Sequence, residues 1–73
     1  MKAHNILLLG SGGREHSLAW KLTQSPLCKA LYIAPGNAGT AQLGTNIAVA
    51  LSDFEALKKI CTEKEISLLF PGS

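Results

Sequence analysis

A chain of 73 residues carrying a formal charge of +2, with 47% apolar and 16% charged residues, has the composition of one small globular domain and not of a disordered segment. Its lysines are scattered without a basic run, which gives no footing for a nucleic-acid partner or a charged membrane surface. No apolar stretch approaches the roughly 18 residues needed to span a bilayer, so no membrane role is expected.

The opening residues Met1-Lys2-Ala3-His4-Asn5 lead into only a short apolar run before Gly10, which is not a signal peptide, and the expected location is cytoplasmic. Ile6-Leu7-Leu8-Leu9 is unbroken and ends at glycine, as a strand buried on both faces of a parallel sheet reads. His4 precedes this strand and is expected to face solvent. Gly10-Ser11-Gly12-Gly13 forms a turn. A helix is predicted from Arg14 to about Gln24, with Leu18 and Leu22 one turn apart and Ala19 beside them on the buried side. Ser25-Pro26 stops it, because the residue before proline is pushed out of the α region.

Leu31-Tyr32-Ile33-Ala34 is a second strand, cut off by Pro35-Gly36-Asn37. A loop of small residues follows, to about Thr45. Ile47-Ala48-Val49-Ala50-Leu51 is predicted as a third strand. Ser52-Asp53-Phe54-Glu55 has the spacing of a capping box, with Ser52 at the cap. It opens a second helix whose Phe54, Leu57, Ile60 and Cys61 share one face, leaving Lys58, Lys59, Glu63 and Lys64 to solvent. Ile66 to Phe70 is a fourth strand. The order β-α-β-β-α-β implies an α/β fold, a Rossmann-like parallel sheet with right-handed crossovers. The sequence stops at Pro71-Gly72-Ser73 where another helix is expected, so residues 1–73 read as a truncated domain with exposed apolar edges.

The segment richest in chemistry is Gly10-Ser11-Gly12-Gly13-Arg14-Glu15-His16. Glycines between a strand and a helix let an anion approach the backbone. The free N–H groups of the helix start then point at it, aided by the helix dipole. Arg14 adds a charge-assisted contact. The alternative is a tight turn with no ligand. A dinucleotide fingerprint needs glycine where Glu15 stands and an acidic residue after the second strand; no Asp or Glu occurs between Glu15 and Asp53. The Walker pattern is absent as well. A carboxylate in the first turn suits a small sugar phosphate better than a pyrophosphate.

The second glycine loop, Pro35-Gly36-Asn37-Ala38-Gly39-Thr40, begins at the end of the second strand and so shares the sheet edge with the first. Asn37 suits hydroxyl recognition, or equally a turn that caps its own backbone. His16 is open to acid–base work or to hydrogen bonding in the turn, and Trp20 to packing or to contact with a further domain. Cys28 and Cys61 lack CxxC spacing and are expected as reduced, idle thiols. No catalytic set and no metal-ligand spacing can be assembled.

The run Gly10 to Leu22, then Gln24-Ser25-Pro26 and Ala34-Pro35-Gly36-Asn37-Ala38-Gly39-Thr40-Ala41, resembles the start of the phosphoribosylamine–glycine ligase family, over about Ile6 to Ile66. The resemblance implies the amino-terminal, pre-ATP-grasp domain, with the ATP-grasp and C-terminal domains absent. In that family ATP, with Mg2+ or Mn2+, phosphorylates the glycine carboxylate, and the amine of phosphoribosylamine attacks it to give glycinamide ribonucleotide. The resemblance implies ribose and phosphate binding by Gly12, Gly13, Arg14, Glu15, Gly36 and Asn37. It assigns no catalytic residue, metal or ATP site to this chain, which alone is expected to be inactive. The family continues after its fourth strand into Gly-Pro-Glu, where this chain reads Pro71-Gly72-Ser73. The alternative is a free-standing Rossmann-like module that binds a nucleotide.

Overall fold

The computed structural model describes residues 3–71. Strand β1 (His4–Gly10) leads through the glycine turn into helix α1 (Gly13–Thr23) and back to β2 (Cys28–Pro35). A 3₁₀ turn (Thr40–Gln42) and a short β3 (Thr45–Asn46) follow, then α2 (Phe54–Glu63) and β4 (Leu68–Pro71). The strands pair in the order β3-β2-β1-β4, all parallel. The expected α/β architecture is therefore present, with β1, the most buried strand, in the interior of the sheet.

Alternation along the strands decides the two faces. Ile6 stands beside Leu31 and Leu68, and Leu8 beside Ile33 and Phe70. These six side chains join Leu18, Ala19 and Leu22 of α1 in one core. Ile6, Leu8, Ala19 and Ile33 are almost wholly buried. The opposite face carries Leu7, Leu9 and Leu69, over which α2 lies. That side closes less tightly: a cavity of about 520 Å³ runs between α2 and β1/β4, with Leu57 and Cys61 among its lining. No residue of α2 is fully buried. Phe54 lines the cavity with Leu57 and Cys61, on the face expected of it, but is 73% exposed; Lys58, expected in solvent, is exposed and borders the same cavity. The helical period gave the apolar stripe correctly but not how far the sheet beneath it extends.

Two elements differ from expectation for identifiable reasons. The run 47–51 is not a strand. Ile47 donates its N–H to the Ile33 carbonyl at 2.7 Å, but the next ladder bond would have to come from the nitrogen of Pro35, which carries no hydrogen. Val49 instead turns its N–H onto the Ile47 carbonyl at 2.9 Å and the chain leaves the sheet. The cap of α2 is Asp53, not Ser52: its carboxylate accepts from the Ala56 N–H at 3.2 Å. Smaller shifts lengthen β1 and β2 toward their starts and begin β4 at Leu68. His4 lies within β1, and its Nδ1 bonds the Ser67 hydroxyl at 2.8 Å, so it is not simply solvent-facing.

Asn5 ties the far end of the sheet to α2, donating its side-chain amide to the carbonyls of Lys64 at 3.0 Å and Glu65 at 3.3 Å. Lys64 in turn places its ammonium 5.7 Å from the centre of the Tyr32 ring. Among the described residues no helix is long and apolar enough to cross a membrane. Of the expected terminal turn Pro71-Gly72-Ser73, the last two residues lie outside the described part.

Candidate functional site

Because all four strands are parallel, their carboxyl ends share one edge, and both glycine loops emerge there. The chain runs from β1 outward to β2 and β3, then returns to place β4 on the other side of β1. The point where that direction reverses, between β1 and β4, is where open α/β sheets take ligands. Gly10-Ser11-Gly12-Gly13 leaves β1 beside it.

The turn depends on glycine at two places. Gly10 has φ of 145°, and a Cβ there would overlap the Glu15 side chain. Gly36 has φ of 74°, and a Cβ there would overlap the Asn46 amide. Gly36 donates to the Gly10 carbonyl at 2.9 Å, so the two loops begin side by side.

Glu15 is 7% exposed, and its Oε2 accepts from the Gly12 N–H at 3.0 Å. Gly12 has no side chain to return the bond, so only half of a capping box forms. The N–H groups of Gly13, Arg14 and Glu15 consequently find no acceptor among the described residues; the first amide of α1 to do so is that of His16, on the Gly12 carbonyl at 3.2 Å. Three donors at the positive end of a helix thus face outward. Arg14 is exposed and bonds no described residue. A Cβ on Gly13 would meet nothing within 4 Å, which leaves the approach to these amides open.

Asn37 is fully engaged within the chain. Its Nδ2 donates to the Ser11 carbonyl at 2.7 Å and to that of Gly12 at 3.3 Å, while its Oδ1 accepts from the Thr40 N–H at 2.9 Å. Of the two uses open to Asn37 in the sequence, this geometry is that of the turn that caps its own backbone. It also reaches across to clasp the first loop. Glu15 and Asn37 therefore hold opposite ends of one peptide plane, Glu15 at the Gly12 nitrogen and Asn37 at the Ser11 oxygen. His16 turns toward the second loop: a Cβ on Gly39 would stand 2.7 Å from its Cδ2.

The six residues singled out in the sequence, Gly12, Gly13, Arg14, Glu15, Gly36 and Asn37, are thus brought to one edge. Sequence reasoning gave no role to Thr40, at the end of the second glycine loop, or to Asn46, in β3, which both lie beneath Asn37; their only signal was that they are small and polar. The cavity under α2 is a different place. Of its lining only Lys58 and Thr62 are polar, so an anion there would lose hydration with little return. Cys28 and Cys61 are both free and half-buried, and burial pushes the Cys28 thiol pKa up. Trp20 stands half-exposed on α1.

Comparison with known proteins gives a concordant picture. Residues 4–73 match the family model described as phosphoribosylglycinamide synthetase, N domain. The trifunctional purine biosynthetic protein adenosine-3 of Gallus gallus is 53% identical over 72 residues, covering 96% of this chain and 7% of that protein. The phosphoribosylamine–glycine ligase of Haemophilus influenzae is 49% identical over 70 residues, covering 93% of this chain and 16% of that protein. The ligase of Mesorhizobium japonicum is 48% identical over 68 residues, with the same two shares. The chain thus spans less than a fifth of the length of these relatives.

Proposed function

Since the chain belongs to the phosphoribosylglycinamide synthetase N-domain family, we propose that it supplies the substrate-phosphate side of a phosphoribosylamine–glycine ligase of purine biosynthesis. Its ligand is the ribosyl phosphate of phosphoribosylamine, or of the product glycinamide ribonucleotide. The observation that carries this reading is the set of unpaired amides at Gly13, Arg14 and Glu15 beside the switch point of the sheet.

A phosphate seated there would take N–H donors from α1 and gain from the helix dipole. Arg14 adds a charge-assisted bond. Gly12 and Gly13, lacking Cβ atoms, let the phosphate oxygens reach the backbone. Glu15, Gly36 and Asn37 shape the cradle. The Glu15 carboxylate, a source of repulsion for a dianion if it pointed outward, is turned inward onto the Gly12 N–H.

ATP, with Mg2+ or Mn2+, would supply the energy of the reaction by phosphorylating the glycine carboxylate. Those groups belong to ATP-grasp domains, partners of this domain in the whole ligase. The residues here do not fit them: no group of three His, Cys, Asp or Glu side chains able to hold a metal occurs among the described residues, and the glycine turn is not a Walker loop. On this reading the chain's own residues bind and position the substrate phosphate, and the conversion belongs to the ATP-grasp domains of the whole ligase.

Titration of the ¹⁵N-labelled chain with glycinamide ribonucleotide tests the reading. The amides of Gly13, Arg14 and Glu15 should move most. Perturbation centred instead on the start of α2, or none at all, overturns it. Saturable binding of NAD or ATP in place of the ribonucleotide would favour a nucleotide-binding module.

A further inference from the structure

Thr40 is fully buried and Asn46, the last residue of β3, is half-buried, and both lie beneath Asn37. Both are bonded at every side-chain polar atom, to Asn37 and to each other. The Thr40 hydroxyl accepts from the Asn37 N–H at 2.7 Å. Its own proton lies between the Asn46 Oδ1 at 2.8 Å and the Asn37 carbonyl at 3.0 Å. The Asn46 Nδ2 donates to that same Asn37 carbonyl at 2.7 Å. Asn46 is itself fixed in register, paired with Ile33 of β2.

We propose that Asn46 and Thr40 are positioning residues for the anion-binding turn, acting through Asn37; this deepens the phosphate-site reading above and rests on it. The physical link is the rigidity of the peptide group. The Gly12 carbonyl and the Gly13 N–H belong to one plane and point in opposite directions. A donor that holds the Gly12 oxygen from one side therefore sets where the Gly13 hydrogen points on the other. Asn37 is one such donor, at 3.3 Å, beside the His16 N–H of α1 at 3.2 Å, and it can hold this carbonyl and, more closely, that of Ser11 at 2.7 Å only while its own backbone is fixed. Thr40 and Asn46 fix it, and they are anchored to the sheet. The relay thus transmits the position of β2 and β3 to an amide whose bonding partner lies outside the chain. Gly36 is required for the same reason, since any Cβ there would displace the Asn46 amide.

The test uses the full 73-residue chain, ¹⁵N- and ¹³C-labelled, with ribose 5-phosphate as probe. In the ligand-free wild type, a through-hydrogen-bond coupling is expected between the Asn37 side-chain nitrogen and the Ser11 carbonyl carbon. Thr40→Val, which keeps the shape and removes the hydroxyl, and Asn46→Ala should each shift the Gly12 and Gly13 amides. Each should weaken ribose 5-phosphate binding by about tenfold, the scale of one lost hydrogen bond. Thr40→Ser, which restores the hydroxyl, should return both readouts to within about twofold of wild type. Folded variants with unmoved Gly13 amides and unchanged affinity overturn the relay. If the variants fail to fold, absence of the Asn37–Ser11 coupling in the wild type overturns it alone. A wild-type chain that shows the coupling and the amide shifts but never binds ribose 5-phosphate defeats the phosphate reading and leaves the relay standing.

Discussion

Glu15 folds back against Gly10, so close that a Cβ on residue 10 would overlap its side chain. The contact joins the end of β1 to the first turn of α1 and seats the carboxylate that binds the Gly12 N–H. Gly10→Ala meets two obstacles, this overlap and a φ of 145° that side chains rarely adopt. It is expected to lower stability by about 1–3 kcal/mol, read from urea unfolding. Adding Glu15→Ala removes the overlap and keeps the dihedral, so the double variant should recover only part of the loss. Full recovery would assign the whole cost to the overlap.

Gly13 stands in contrast. Its φ is not in the left-handed region, and a Cβ there meets nothing. Gly13→Ala should therefore leave the fold intact and raise stability by up to about 1 kcal/mol, because glycine is the poorer helix former. Glycinamide ribonucleotide binding should fall at the same time, since the new methyl stands where phosphate oxygens would approach. A variant that gains stability and keeps full affinity would remove Gly13 from the site.

The comparison of these two glycines shows what the sequence could and could not disclose. The motif Gly10-Ser11-Gly12-Gly13-Arg14 announced a strand-to-helix turn, and apolar runs placed β1, β2 and both helices, because burial on a parallel sheet leaves a local signature. The division of labour among the glycines did not show, since it depends on which side chain returns to each one. Asn46 filling the space beside Gly36, ten residues away, follows no local pattern, and the reach of Glu15 back to Gly12, though it has the spacing of a capping box, is masked in the sequence by a glycine where the cap side chain would stand. The error over residues 47–51 has the same origin. The run is apolar enough for a strand, but whether it pairs was decided by Pro35 on the neighbouring strand. Phe54 was placed on the buried face by helical period alone, which says nothing about how far the sheet extends beneath it.

The cap of α2 offers a separation of neighbouring residues. Asp53 accepts from the Ala56 N–H and Ser52 does not. Asp53→Ala should cost about 1 kcal/mol of unfolding free energy, and Ser52→Ala only a few tenths. The measurement is urea unfolding of both variants beside wild type. A larger loss from Ser52→Ala would restore the serine as the cap.

Cys28 gives a dependence on pH whose sign follows from burial. Desolvation raises its thiol pKa in the folded chain, so at alkaline pH the native state holds its proton more firmly than the unfolded state does. Where the unfolded chain binds fewer protons, stability falls as pH rises. The stabilisation Cys28 contributes is thus fully present below the unfolded thiol value, about 8.5, and is lost as pH climbs through the higher folded value. The informative quantity is the difference between wild type and Cys28→Ala. That difference should be constant from pH 6 to about 8 and shrink above about 9. A difference that stays flat to about pH 10.5 would mean that the thiol ionises as freely in the folded chain as in the unfolded one.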